Sequence, residues 1–241
     1  MHIPDGMLPA QVSAVGYAIA APLLGYSLRK INRLSDHQPI RVTRSIPKAA
    51  LLTATFFVAS SIPLPLPSPV PVHFLMNGLL GAMLGYYAIP AIVIGLLFQA
   101  LLLGHGGLTT LGINTLLLGI PALLAYSVFQ LRHRFLIRLP STRHLSLYGL
   151  LGGFAGGIGV IGSALLFFGI VILTIPANLD AATEKVAIYG LTLLHLPLAL
   201  VEGVFTASFV VFLQRTKPEL LHTDWERSPV SQSVQKEVER V

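Results

Sequence analysis

Apolar residues in this chain do not alternate with polar ones at the period of an amphipathic helix. They come in long, nearly unbroken runs broken by short polar or basic stretches, and each run is about the length a helix needs to cross a bilayer. Seven runs are marked, roughly at residues 10–28, 47–64, 73–89, 90–104, 114–131, 147–174 and 187–213. The third and fourth meet at Ile89-Pro90, where the proline and the combined length predict a break. The sixth is long and glycine-rich, which predicts tilt or bend. The pattern predicts an all-α, polytopic membrane bundle of about seven transmembrane helices. The membrane-embedded part is expected to cover residues 1–214, with a short charged cytoplasmic tail over 215–241.

Composition sharpens this picture. The chain is 54% hydrophobic and only 11% charged, whereas soluble domains carry about 25% charged residues. A net charge of +6 could suggest nucleic acid, but the basic residues lie in clusters between the apolar runs rather than over one soluble face. No nucleic-acid partner is expected. There is no cysteine, which excludes thiolate metal sites, disulfides and cysteine nucleophiles. A metal would have to be held by nitrogen or oxygen.

The clusters set the orientation. Arg29, Lys30, Arg33, Arg41, Arg44 and Lys48 fall between the first and second runs. Arg132, Arg134, Arg138 and Arg143 follow the fifth, and Arg215, Lys217, Arg227, Lys236 and Arg240 lie in the tail. With seven crossings these fifteen of the sixteen basic residues share one side, and Lys185 alone is left on the other. The positive-inside rule then predicts an outer N-terminus and a cytoplasmic C-terminus. The outer surface would comprise residues 1–6, 63–72, 105–110 and 177–185. The first run lacks a basic region before it, so Ala18-Ile19-Ala20 is not read as a cleavage site and the amino terminus is expected to survive.

Three of the eight histidines fall at outer ends of runs: His2, His73 and His105. His37, His133, His144 and His222 lie in basic segments and read as solvated loop residues. A histidine at position 2 has special chemistry. The Met1 amine and the His2 amide nitrogen can close a five-membered ring on a metal, and the amide and imidazole Nδ1 a six-membered one. A second imidazole would complete a planar four-nitrogen set suited to Ni(II) or Cu(II), and less readily Co(II). Met1 and His2 are therefore candidate metal ligands, and His73 and His105, on the same face as the amine, are candidates for the second imidazole. Pro4 and Gly6 favour a turn that folds the terminus back. Asp5 is expected to cap the first helix, with an imidazole bond as the alternative. Thr109, Thr110 and Asn114 could orient ligands or satisfy the backbone at re-entry. Glu202 is the one charged residue well inside a run, with His195 two helical turns before it. Gating, proton linkage or a structural hydrogen bond are open to this pair. The G-x-x-x-G pairs Gly81/Gly85 and Gly153/Gly157, with Ala14, Ala18 and Ala21, suit close helix packing or docking of a membrane partner.

Met1-His2-Ile3-Pro4-Asp5-Gly6, His73-Phe74-Leu75-Met76-Asn77-Gly78, His105-Gly106-Gly107-Leu108-Thr109-Thr110-Leu111-Gly112 and the segment from His195 to Gly203 together resemble the CbiM/NikM family, over nearly the whole chain to about residue 214. The resemblance implies the substrate-capture component of an energy-coupling-factor importer for Co2+ or Ni2+, resident in the cytoplasmic membrane of a prokaryote. It implies three kinds of partner: a transmembrane coupling subunit, a pair of cytoplasmic ATPases and a small accessory membrane protein, here expected as a separate chain. It further implies that metal lies between the terminal amine, the amide and imidazole of His2 and the imidazole of His73. His105 would then stand behind the ligands or at the entrance. The metal is cargo, and no resident cofactor is expected. Planar nitrogen ligation suits nickel, while a link to cobalamin synthesis ranks cobalt ahead. No G-x-x-x-x-G-K-[ST] loop or H-E-x-x-H occurs, so the chain is read as neither ATPase nor metalloprotease. The alternative is a self-sufficient secondary transporter or channel with His195 and Glu202 on its path.

Overall fold

The computed structural model describes residues 2–37, 39–64, 72–136, 140, 143–174 and 181–221, with backbone alone for 34–37, 39–44 and 181–183. The order of elements is α1 (Ala10–His37), α2 (Pro39–Ser61), β1 (Pro63–Leu64), β2 (Val72–His73), α3 (Asn77–Leu84), α4 (Ala88–Leu103), α5 (Leu111–Leu136), α6 (His144–Leu173) and α7 (Ala181–Thr216). Four helical stretches are long and apolar enough to cross a bilayer: 77–103, 111–136, 144–173 and 184–216. Large apolar side chains such as Leu51, Leu102, Leu173 and Leu200 stand exposed on the outside, as lipid-facing residues must. The fold is thus a membrane-type helix bundle, with four candidate spans by length and composition among the described residues against the seven crossings expected.

The break between the third and fourth runs lies earlier than Pro90. α3 stops at Leu84, a 3₁₀ turn occupies Gly85–Tyr87, and Pro90 sits inside the first turn of α4, where its missing N–H costs nothing. Gly85 takes φ +57°, a backbone that favours glycine, so the chain reverses there. The reversal makes a hairpin. α3 runs parallel to α5, with Asn77 on the Leu118 carbonyl, Gly81 against Ala122 and Gly85 against Tyr126. α4 returns parallel to α2, with Gly95 against Phe56 and Gln99 donating to the Ser60 hydroxyl at 2.6 Å. Eight residues of α3 span only about 12 Å, and the chain enters the bundle through the irregular segment 74–76 before becoming helical.

Two ends of the bundle are defined by contacts. At one, β1 and β2 pair antiparallel, Pro63 opposite His73, beside His2 and His105. At the other, Lys48 Nζ donates to the Leu220 carbonyl at 3.0 Å and Arg132 donates to the Leu221 carbonyl at 3.3 Å. The basic residues expected to fill a loop between the first two runs lie instead on helical backbone, since α1 and α2 extend to His37 and from Pro39. His133 and His144 likewise sit in α5 and α6 rather than loops, and His37 in α1; His222 lies outside the described residues. Arg132 is fully buried, packed over the Phe129 ring with its guanidinium 4.1 Å from the centroid. The expected boundary at 214 falls near the end of α7, and most of the expected tail lies outside the described residues.

Candidate metal centre

The site begins with a turn. Met7 N–H donates to the Pro4 carbonyl at 3.4 Å, and Gly6 at φ +81° supplies the left-handed corner. This folds the first residues back over the bundle. Ile3 is then gripped by the start of α5. Its N–H donates to Asn114 Oδ1 at 2.9 Å, and its carbonyl accepts from Asn114 Nδ2 at 3.0 Å and from Thr110 Oγ1 at 2.7 Å. The Asn114 side chain copies the donor and acceptor pair of a neighbouring strand, which keeps Ile3, a residue with no exposed surface, from burying unpaired backbone.

Asp5 does not cap α1, the role expected of it. Its carboxylate accepts from the backbone N–H groups of Leu108 (3.1 Å), Thr109 (2.9 Å) and Thr110 (3.3 Å) and from the Thr109 hydroxyl (2.5 Å). Those amides are the orphan donors just ahead of α5, where a carboxylate is favoured by geometry and by the helix dipole. They hold the Asp5 pKa below its ordinary value, the Thr109 hydroxyl being the largest cause. Gly107 stands so close to this carboxylate that any side chain there would collide with it.

This latch sets His2 beside the other two histidines. The His105 ring meets His2 edge-on at 4.9 Å between centroids and His73 edge-on at 4.6 Å. Both ring nitrogens of His2 are buried and lack a hydrogen-bond partner among the described residues. Burial, and then the positive charge of the chain's amino terminus, pull all three imidazoles toward the neutral form, with neighbouring imidazoles adding to this for His2 and His73. His2 falls well below the ordinary value and His73 to about 4, with His105 also lowered. A neutral imidazole is the metal-binding form. Among the described residues no three His, Asp or Glu side chains are grouped as a ready metal cage. Met1, the expected amine donor, lies outside the described residues.

The remaining candidates separate. Thr109 and Asn114 serve the latch. His195 is buried in α7 with Nδ1 2.7 Å from the Leu191 carbonyl, one turn back in its own helix. Glu202, also buried, accepts from the backbone N–H groups of Leu75 and, at 2.9 Å, Met76. Sequence reasoning missed the two amides because no side chain marks them. It also passed over Asn77, a buried amide in an apolar run, whose Nδ2 reaches the carbonyls of Leu118 and Gly159 (each 3.1 Å) and the Ser163 hydroxyl (2.9 Å).

A bundle of membrane-type helices with its first residues latched beside three clustered imidazoles at one end defines a multi-pass membrane protein with a histidine-lined end. The family model described as the cobalt uptake substrate-specific transmembrane region matches residues 2–220. The chain belongs to this CbiM family and is a cobalt/nickel-transport membrane component, multi-pass and prokaryotic, and not an enzyme. It is 34% identical over 223 residues to a CbiM protein of Methanococcus voltae, covering 91% of this chain and 94% of that one. It is 33% identical to the fused nickel transport protein NikMN of Rhodobacter capsulatus, covering 92% of this chain and 64% of that protein. The crystal structure of a truncated transition metal transporter superposes with a TM-score of 0.70 at 26% identity, covering 89% of this chain and 99% of that one.

Proposed function

We propose that this protein is the substrate-specific membrane component of an ATP-driven energy-coupling-factor importer, which captures Co2+ or Ni2+ at its outer face. The observation that carries the reading is the buried His2 ring, unpartnered at both nitrogens, on a terminus latched beside His73. The Met1 amine, the ionised His2 amide and the His2 imidazole supply three nitrogens of a planar set, and His73 the fourth. Metal displaces protons from these groups, so capture strengthens as pH rises. His105, edge-on to both rings, fixes their tilt.

The chain crosses the membrane seven times, with α3 and its lead-in counted as one crossing and α4 as the next. The amino terminus lies outside. The hairpin supports this count, because it returns residue 105 to the end that holds residue 73, while the basic Lys48 and Arg132 lie at the opposite end. Energy reaches the chain through partners: a transmembrane coupling subunit, a cytoplasmic ATPase pair and a small accessory membrane protein. Reorientation driven by these partners releases the metal inward. Cobalt for cobalamin synthesis ranks ahead of nickel as the cargo, and relatives named for each metal match the chain. A self-sufficient transporter routed through His195 and Glu202 is less well supported, since both Glu202 oxygens are already taken by backbone.

The test is calorimetric titration of Co(II) and Ni(II) into purified protein with its native terminus, with one residue added before Met1, and with His73→Ala. Binding that collapses in both altered proteins supports the terminal chelate. Undiminished binding after extension removes the amine from the ligand set and overturns the proposal.

A further inference from the structure

Glu202 lies on α7, yet both oxygens of its carboxyl end on the backbone of another element, at Leu75 and Met76. These are the second and third residues after His73. The lead-in 74–76 has no regular structure of its own, and Met76 takes φ +53°, the only positive φ at a non-glycine residue among those described. A side chain with a Cβ is strained there, so the segment is held by its surroundings. Two residues of extended chain reach at most about 7 Å, which ties the place of His73 to whatever fixes Leu75.

Two anchors are present. Above, His73 pairs with Pro63 through strands of only two residues each, and proline brings no N–H to that ladder. Below, the Glu202 carboxyl takes two consecutive amides. Hydrogen bonds away from water are electrostatically stronger than in it, and here one side chain holds two consecutive amides. The lower anchor is the stronger. Its own footing is firm: α7 is held on α6 where Gly156 admits Thr206 and Gly152 admits Val210.

We infer that Glu202 is a positioning residue for metal capture: it fixes the 74–76 lead-in and thereby presents the His73 imidazole to the ion. This rests on the reading of His73 as a ligand. An intramembrane carboxyl is costly, and here its place in the molecule is explained by the ligand it aims rather than by contact with the metal.

The experiment compares native protein, Glu202→Gln and His73→Ala, purified with the native terminus, by Ni(II) titration and by the visible absorption of the Ni(II)-loaded form. The glutamine keeps one acceptor but turns an amide donor toward a backbone donor. Affinity is expected to fall about 10- to 100-fold, the usual cost of removing a residue that orients a ligand, with a shifted d–d band. A purely structural role would lower the melting temperature and leave the band and affinity of the folded protein native. Native affinity and band in Glu202→Gln, alongside lost binding in His73→Ala, overturns the inference alone. Native binding in His73→Ala overturns the ligand reading on which it rests. If Glu202→Gln is not monodisperse, Glu202→Asp decides by the same two readouts: weaker binding with a shifted band supports the inference, and native values overturn it.

Discussion

Asp5 shows how one side chain can join two distant parts of a chain. Four hydrogen bonds from residues 108–110 converge on it, so Asp5→Ala is expected to loosen the amino-terminal arm and weaken Ni(II) binding by about 10-fold or more. Asp5→Asn, which keeps one oxygen acceptor, should lose less; titration calorimetry on the two variants checks the order. The imidazoles make a second prediction. The His73 pKa falls from 6.5 to about 4 in the fold, and that of His2 is lowered too. As pH drops, the unfolded chain therefore takes up protons before the folded one does. Stability tied to these rings is complete above about pH 6.5 and is lost as pH falls toward about 4. Metal-free protein should lose melting temperature across that window, and His73→Gln should flatten the loss. The grouping of His2 with other histidines could be expected from residue types and run ends, and the structure brings His2, His105 and His73 together. The target of Asp5 could not be expected, because a cap is satisfied by any orphan amide in reach, and sequence proximity favoured α1.

At the scale of elements, the glycine pairs answer the question of packing against docking differently. A methyl group on Gly81 would collide with the Ala122 carbonyl, whereas one on Gly153 would meet Ala207 and Gly203 at an ordinary 3.5 Å, and one on Gly157 the Ala199 carbonyl at 3.6 Å. Gly81→Ala is expected to cost about 1–3 kcal/mol. Gly153→Ala should stay within about 0.5 kcal/mol for the isolated chain. Thermal unfolding in detergent separates them. Gly153 and Gly157 line an apolar groove of about 770 Å³ between α6 and α7, while the crossing of α1 and α5 uses Gly16 and Gly112, neither of which belongs to a G-x-x-x-G pair. Ala14, Ala18 and Ala21 face outward. Helix positions were legible because long apolar runs leave the backbone no alternative to helix in lipid. The break at Gly85 was misplaced because Pro90 is the louder signal, yet a proline in the first turn of a helix breaks nothing.

For the whole molecule the decisive question is which end faces out. The chain has no cysteine, so single cysteines report position without background. Lys185→Cys, exposed on the first turn of α7, should react with a membrane-impermeant maleimide in intact cells. Arg143→Cys, ahead of α6, should react only after permeabilisation. The reverse pattern would invert the orientation. Charge clusters predict that orientation without coordinates, since it follows from a solvation rule. Burial of Arg132 was not legible, because its neighbours Phe129 and Leu221 come together only in three dimensions.

The latch between Ile3 and Asn114 also bears on how the protein is made. The first residues emerge from the ribosome first, but the groups that hold them, at 108–114, arrive after α4 has been synthesised, and the Glu202 anchor for the 74–76 segment arrives later still. In the orientation proposed above, the amino terminus is carried across the membrane and waits there. A chain cut short before α7 lacks the Glu202 hold below His73, so the proposed metal centre is completed only near the end of synthesis.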